Sequence, residues 1–175
     1  SLESAAEIYS QSEDPVYLAG GMTLIPTLKQ RLARPTDVID LGGVDGLSNV
    51  EQSAETLSIG SMTTHAAVAA NSAVSSVIPA LSALAGGIGD PHVRNKGTLG
   101  GSVANNDPAA DYPAALVGLD ATVVTTQREI PAEEFFVGMF ETSLVEGELI
   151  SHVQFSIPDS AAYMKFANPA SRYAI

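Results

Sequence analysis

Two glycine pairs, each beside a hydroxyl, are the residues of this chain with the clearest chemical use. The first is Ala19-Gly20-Gly21-Met22-Thr23, and the second, about eighty residues later, is Thr98-Leu99-Gly100-Gly101-Ser102. Without Cβ atoms, consecutive peptide N–H groups can curl into a concave nest around an anion. Two such nests can hold the two halves of a diphosphate, so the pair points to a dinucleotide ligand. The first turn is not the Gly-x-Gly-x-x-Gly of the doubly wound dinucleotide fold, because Met22 and Ile25 stand in the wrong places. Around the second, the stretch from Arg94 to Asp111 concentrates polar donors, glycines and carboxylates. Asp111 either caps the helix that follows or accepts hydrogen bonds from ribose-type or ribityl hydroxyls. Arg94 either meets a phosphate or braces loop carbonyls, and Asp107 with Asp111 makes at most half of a magnesium site. Ser102, His65 and Asp111 lack the Gly-x-Ser-x-Gly elbow of a hydrolase. The three histidines, His65, His92 and His152, have no metal-ligand spacing and are expected to bind no metal.

The elements around the first turn read as β-α-β. Val16 to Ala19 is a short apolar strand, and Leu24, Ile25, Leu28 and Leu32 recur at helical spacing after an N-cap at Thr23. Val38 to Leu41 is a second strand, parallel to the first. Beyond it, Leu47–Val50 and Thr56–Gly60 read as antiparallel strands. Thr63 or Thr64 caps a helix through Ala70, and Val77–Leu84 forms another. Gly86–Asp111 reads as one long functional loop. Tyr112–Leu119 is helical and Ala121–Thr126 extended. Ile130–Phe136 reads as an edge segment with a turn. Glu148–Ile157 is a strand with one buried face, and Ala162–Ala167 pairs beside it. The expected fold class is α+β: a small βαβ lobe over residues 1–55 and a larger mixed lobe with an antiparallel sheet over 56–170. Glu133, Glu134, Glu141, Glu146 and Glu148 are expected on a solvated face or a rim that meets another subunit.

The chain has 175 residues, 45% of them hydrophobic, and a formal charge of −12, which argues against nucleic acid as a partner. No apolar run approaches the roughly 20 residues of a membrane helix. There is no cysteine, so disulfides and thiolate-held clusters are excluded and a cytoplasmic setting is expected. Both ends read as cut, with residues 171–175 starting a further C-terminal domain.

At these motifs the sequence resembles the flavin-binding medium subunits of the molybdenum hydroxylase family, which includes carbon-monoxide and xanthine dehydrogenases. Leu18-Ala-Gly-Gly-Met-Thr-Leu-Ile-Pro26 is similar to the family's first FAD loop, and Arg94–Asp111 to its second. Ile59-Gly-Ser-Met-Thr-Thr-His65, Gly147-Glu-Leu-Ile150 and the closing Tyr163–Ser171 segment match further signatures. The resemblance implies the two-lobed FAD-binding fold shared with vanillyl-alcohol oxidases. It implies that Ala19, Gly20, Gly21, Met22 and Thr23, with Thr98, Leu99, Gly100, Gly101 and Ser102, contact the FAD diphosphate. It places Asp111 at the sugar-like part, Leu149 or Ile150 near the adenine and Lys165 on the flavin side. It assigns no catalytic residue to this chain.

The partners implied are a large subunit with a molybdenum cofactor, a small subunit with [2Fe–2S] clusters, and NAD or another electron acceptor. Met22 stands where relatives often carry histidine or another polar residue. No cysteine-bearing insertion follows Asn95, which excludes members with an extra cluster in this subunit. A self-contained flavin oxidase or reductase, and a nucleotide-binding module without a redox role, are the competing functions.

Overall fold

Ser1 opens the first helix, its hydroxyl accepting from Ser4 N at 3.3 Å, in the computed structural model that describes residues 1–175. Helix α1 (Leu2–Gln11) leads to β1 (Pro15–Leu18), α2 (Leu24–Lys29) and β2 (Asp37–Asp40). The two strands pair in parallel, Pro15 opposite Asp37 and Leu18 opposite Asp40. The β-α-β unit is therefore present, with a shorter helix than its apolar spacing predicts. Arg31 takes a left-handed φ of 59° and leaves Leu32 in solvent. Thr23 occupies the N-cap position in a helical conformation and makes no side-chain capping bond.

Next come β3 (Val50–Gln52) and β4 (Thr56–Gly60), followed by α3 (His65–Ala70), α4 (Ser72–Val77) and α5 (Pro79–Gly86). Strand β3 begins at the residue where Leu47–Val50 was expected to end; Leu47 and Asn49 still accept from Met62 and Gly60, but outside the regular ladder. Thr64 caps α3 by accepting from Ala67 N, and Asn71 caps α4. The expected Val77–Leu84 helix is broken at Ile78, because Pro79 cannot donate into a preceding turn and instead opens α5.

The expected long loop from Gly86 to Asp111 holds two short helices, α6 (Pro91–Lys96) and α7 (Leu99–Asn105). Their caps are Asp90, accepting from Val93 N, and Thr98, accepting from Gly101 N. Helix α8 (Tyr112–Gly118), β5 (Thr122–Thr125), β6 (Glu129–Pro131), α9 (Ala132–Phe135), β7 (Phe136–Gly138), β8 (Glu141–Thr142) and β9 (Ile150–Ser156) complete the chain.

The larger sheet has the order β3-β4-β9-β5-β6, with every pair antiparallel. Strand β9 has β4 on one edge and β5 on the other, so Ala162–Ala167 finds no free edge there. That segment forms no ladder, only an isolated bridge between Ala167 and Ala174. One core lies between this sheet and the helices: Leu57, Ile59, Val123, Val153 and Phe155 pack with Leu81, Leu84, Leu99, Val103, Leu116 and Phe135. A second, small cluster joins Ala5, Ile39 of β2 and Leu41 just after it to Leu149. Strand β3 belongs to the larger sheet, although it precedes residue 55.

Candidate functional site

The first glycine turn joins β1 to α2, and Gly21 takes φ +72°, which a side chain rarely permits. None of the amides from Ala19 to Thr23 donates to a protein acceptor. Five consecutive donors thus stand free in a turn whose residues range from half-buried to exposed. Buried or half-buried N–H groups normally find partners, so this row is suited to an anion, with the first turn of α2 adding its partial positive charge.

The second turn is built differently from the nest that its sequence predicts. Leu99 N donates to Thr63 O, Gly100 N to Ser61 O, Gly101 N to the Thr98 hydroxyl and Ser102 N to Thr98 O. Four of its five amides are spent within the protein, and Thr98, Leu99 and Gly100 are buried. What it presents is the bare Cα of Gly101 and the hydroxyl of half-buried Ser102.

The two turns face each other. A Cβ on Gly101 would lie 3.4 Å from Ala19 Cβ, and one on Gly20 would overlap Lys96 O and come within 2.8 Å of Gly97 Cα. Gly20 is required because the main chain of Lys96 and Gly97 approaches too closely for a side chain, whereas a Cβ on Gly101 would crowd the Thr98 hydroxyl at 2.8 Å. Gly97 in turn lies against His65: a Cβ there would be 2.6 Å from Nε2, and His65 N donates to Gly97 O at 3.0 Å. Burial lowers the His65 pKa to about 4, so the imidazole is neutral near pH 7. Its Nδ1, with Ser61 Oγ, Thr63 Oγ1 and Tyr112 OH, has no hydrogen-bond partner in the protein.

Asp111 does not cap α8; no N–H of that helix bonds its side chain. Its buried carboxylate receives the Tyr163 hydroxyl at 2.5 Å, and Lys165 Nζ lies 3.0 Å from each of its oxygens. Lys165 also reaches Gly87 O at 3.3 Å. Burial, then the Asp111 carboxylate, pushes the Tyr163 phenol pKa up, so it remains a donor. Beside this cluster opens a cleft of about 560 Å³ lined by Gly86, Gly87, Arg94, Lys165, Asn168 and Arg172 among others. Arg94 braces the rim, donating to Ile88 O and Gly89 O. Asp107 accepts from Ala109 N and closes a local turn.

Met22 and Thr23 are exposed beside the free amides, whereas Ile150 is enclosed in the larger core and Leu149 in the smaller one. Glu148 is not on the solvated face expected for it. Its carboxylate is buried and accepts from Arg128, Thr125 Oγ1 and Val145 N. Burial pushes its pKa up, but those donors outweigh it and hold the group below the ordinary range. Tyr163 is the site residue whose role the sequence did not disclose. Its signal was the alternation of Tyr163 and Lys165 with exposed Met164 and Phe166, which puts the first two on one side of an extended segment.

The free amides, the side-chain-free contact between turns and the Asp111 cluster fit a dinucleotide with a diphosphate centre. Comparison with known proteins agrees. Residues 1–159 match the family described as the FAD binding domain in molybdopterin dehydrogenase. The chain is 38% identical over 180 residues to the nicotine 6-hydroxylase medium subunit of Paenarthrobacter nicotinovorans, covering all of this chain and 64% of that one. It is 33% identical over 156 residues to the carbon monoxide dehydrogenase medium chain of Hydrogenophaga pseudoflava, covering 87% of this chain and 54% of that one. Among solved structures, quinoline 2-oxidoreductase from Pseudomonas putida 86 superimposes with a TM-score of 0.95 at 32% identity, over 99% of this chain and 63% of that one. The chain spans about three-fifths of the length of the first curated relatives it matches. By the match across residues 1–159 and these identities, the chain belongs to the FAD-binding domain family of the molybdopterin dehydrogenases.

Proposed function

We propose that this chain binds FAD as the flavoprotein part of a molybdenum-containing hydroxylase and relays electrons, with substrate chemistry carried out in a partner subunit. The observation that carries this reading is the row of unpartnered amides at Ala19–Thr23 set against the bare face of Gly101. In the proposed arrangement the amides of Ala19, Gly20, Gly21, Met22 and Thr23 hold the diphosphate. Thr98, Leu99 and Gly100 keep the second turn close, and Gly101 and Ser102 line its exposed side. Asp111 accepts from sugar-type hydroxyls while Tyr163 and Lys165 fix its carboxylate, and Lys165 borders the cleft on the flavin side. Ile150 supports the adenine end through its strand, since its side chain is in the core. When bound, FAD supplies the ability to collect single electrons and release a pair, and the protein's share is orientation and electrostatics.

The partners proposed are a molybdenum-cofactor subunit, a [2Fe–2S] subunit and NAD or another acceptor, in a cytoplasmic setting. Relatives named as medium chains or as a subunit of a complex support the presence of partner subunits. Titration with FAD, ADP and riboflavin, followed by flavin fluorescence or by competition, tests the reading. Uptake of FAD well ahead of ADP and riboflavin is expected. Equal binding of ADP would favour a nucleotide module without a redox role, and no uptake of FAD would reject the proposal.

A further inference from the structure

The hairpin of β7 and β8 exposes three apolar side chains in a row: Val137 at 61%, Met139 at 77% and Phe140 at 60%. Its two-residue turn puts Phe140 at φ 56°. That left-handed region suits glycine or asparagine, and a bulky residue enters it only under constraint. The constraint is Asn106, buried and itself left-handed at the end of α7. Its Nδ2 donates to Gly138 O at 2.8 Å and to Glu141 O at 2.9 Å, and its carbonyl accepts from Phe140 N at 3.0 Å. The turn is clamped in a strained conformation while its large apolar side chains remain in water. Strain of this kind, maintained at the surface, is a signature of a functional contact.

The surroundings select the partner. Exposed Glu133 and Glu134 precede the hairpin, exposed Glu141 lies within it and exposed Glu146 follows. No lysine or arginine occurs between Arg128 and Lys165. We propose that this hairpin docks into a partner protein chain that offers an apolar recess rimmed by lysines or arginines. The proposal rests on the reading of the chain as one component of a multi-subunit enzyme. A second copy of a chain with formal charge −12 would bring like charge to the rim, and an anionic lipid surface would repel it. The clamp has a consequence for the cofactor site. Asn106 follows directly on α7, whose opposite end is the Thr98–Ser102 turn, so the docked tip and that turn are joined by one short rigid element.

The test is coexpression of the full-length chain, tagged, with the other subunits of its complex. Two variants are compared with wild type: Met139→Ser with Phe140→Ser, and Glu134→Lys with Glu141→Lys. FAD content and melting temperature are measured alongside partner recovery. The expected result is a tenfold or greater loss of partner recovery in both variants, with FAD content unchanged. In wild type, recovery should fall with added salt. Wild-type recovery in the apolar variant overturns the proposal. So does a dimer of the isolated chain, or its cosedimentation with phosphatidylserine vesicles, that the apolar variant abolishes. If the apolar variant melts early, the charge-reversal variant decides. A wild-type chain without FAD would reject the functional reading, while partner recovery would still judge the hairpin.

Discussion

Gly20 shapes the candidate site by what it lacks. A Cβ on Gly20 meets main chain at Lys96 and Gly97, which cannot rotate aside as a flexible side chain would. Gly20→Ala is therefore expected to push the turns apart, costing about 1–3 kcal/mol of stability and roughly tenfold or more in FAD affinity, equivalent to about 1.4 kcal/mol. Urea denaturation and FAD titration of the same variant check both numbers. Asp111→Ala leaves Tyr163 and Lys165 without their shared acceptor. It should lower FAD affinity more than it lowers the melting temperature of the cofactor-free chain. An equal loss of melting temperature with and without FAD would mean that the carboxylate only holds the closing segment in place. His65 supplies a pH test. Its folded pKa of about 4 lies below the ordinary 6.5, so between those values the unfolded chain binds a proton that the folded chain refuses. Stability is then complete above about pH 6.5 and falls as pH drops toward 4, by up to about 3 kcal/mol. His65→Gln should flatten that part of the profile in urea titrations at stepped pH.

The elements explain both what the sequence disclosed and what it hid. Glu148 ties the segment before β9 to the β5–β6 turn through Thr125 and Arg128. Glu148→Ala should cost about 1.5–3 kcal/mol above pH 6. Because its pKa is held below the ordinary carboxylate range, that contribution should vanish as pH falls through the lowered value, which denaturation at stepped pH would show. In a sequence, an acid near other acids looks solvated, and only the fold reveals that this carboxylate is buried against the exposed Arg128 guanidinium. The β-α-β unit and β9 were legible because short apolar runs were bounded by glycine and proline. Helices α6 and α7 were not, because six glycines from Gly86 to Gly101 masked the Asp90-Pro91 and Thr98 caps that start them. Both glycine pairs stand out in the sequence, but a nest of free amides at the second is not what the fold builds. Its amides close onto Ser61 and Thr63, a contact from a distant segment that no local pattern encodes.

For the molecule as a whole, the large core fixes the second turn and the small β1–β2 unit carries the first. Leu149, lying between Ile39, Leu41 and Ala5, is the apolar link between the unit that carries β1 and the chain leading into β9. With a formal charge of −12 and few cations, the chain favours main-chain donors for an anionic cofactor. The free amides of Ala19–Thr23 are the donors we propose for that role. A crystal structure of the chain with FAD measures this directly. The account predicts diphosphate oxygens within hydrogen-bond distance of several of those amides, with Gly101 against the opposite side of the bridge. A diphosphate held by side chains elsewhere, with those amides facing only solvent, would contradict it.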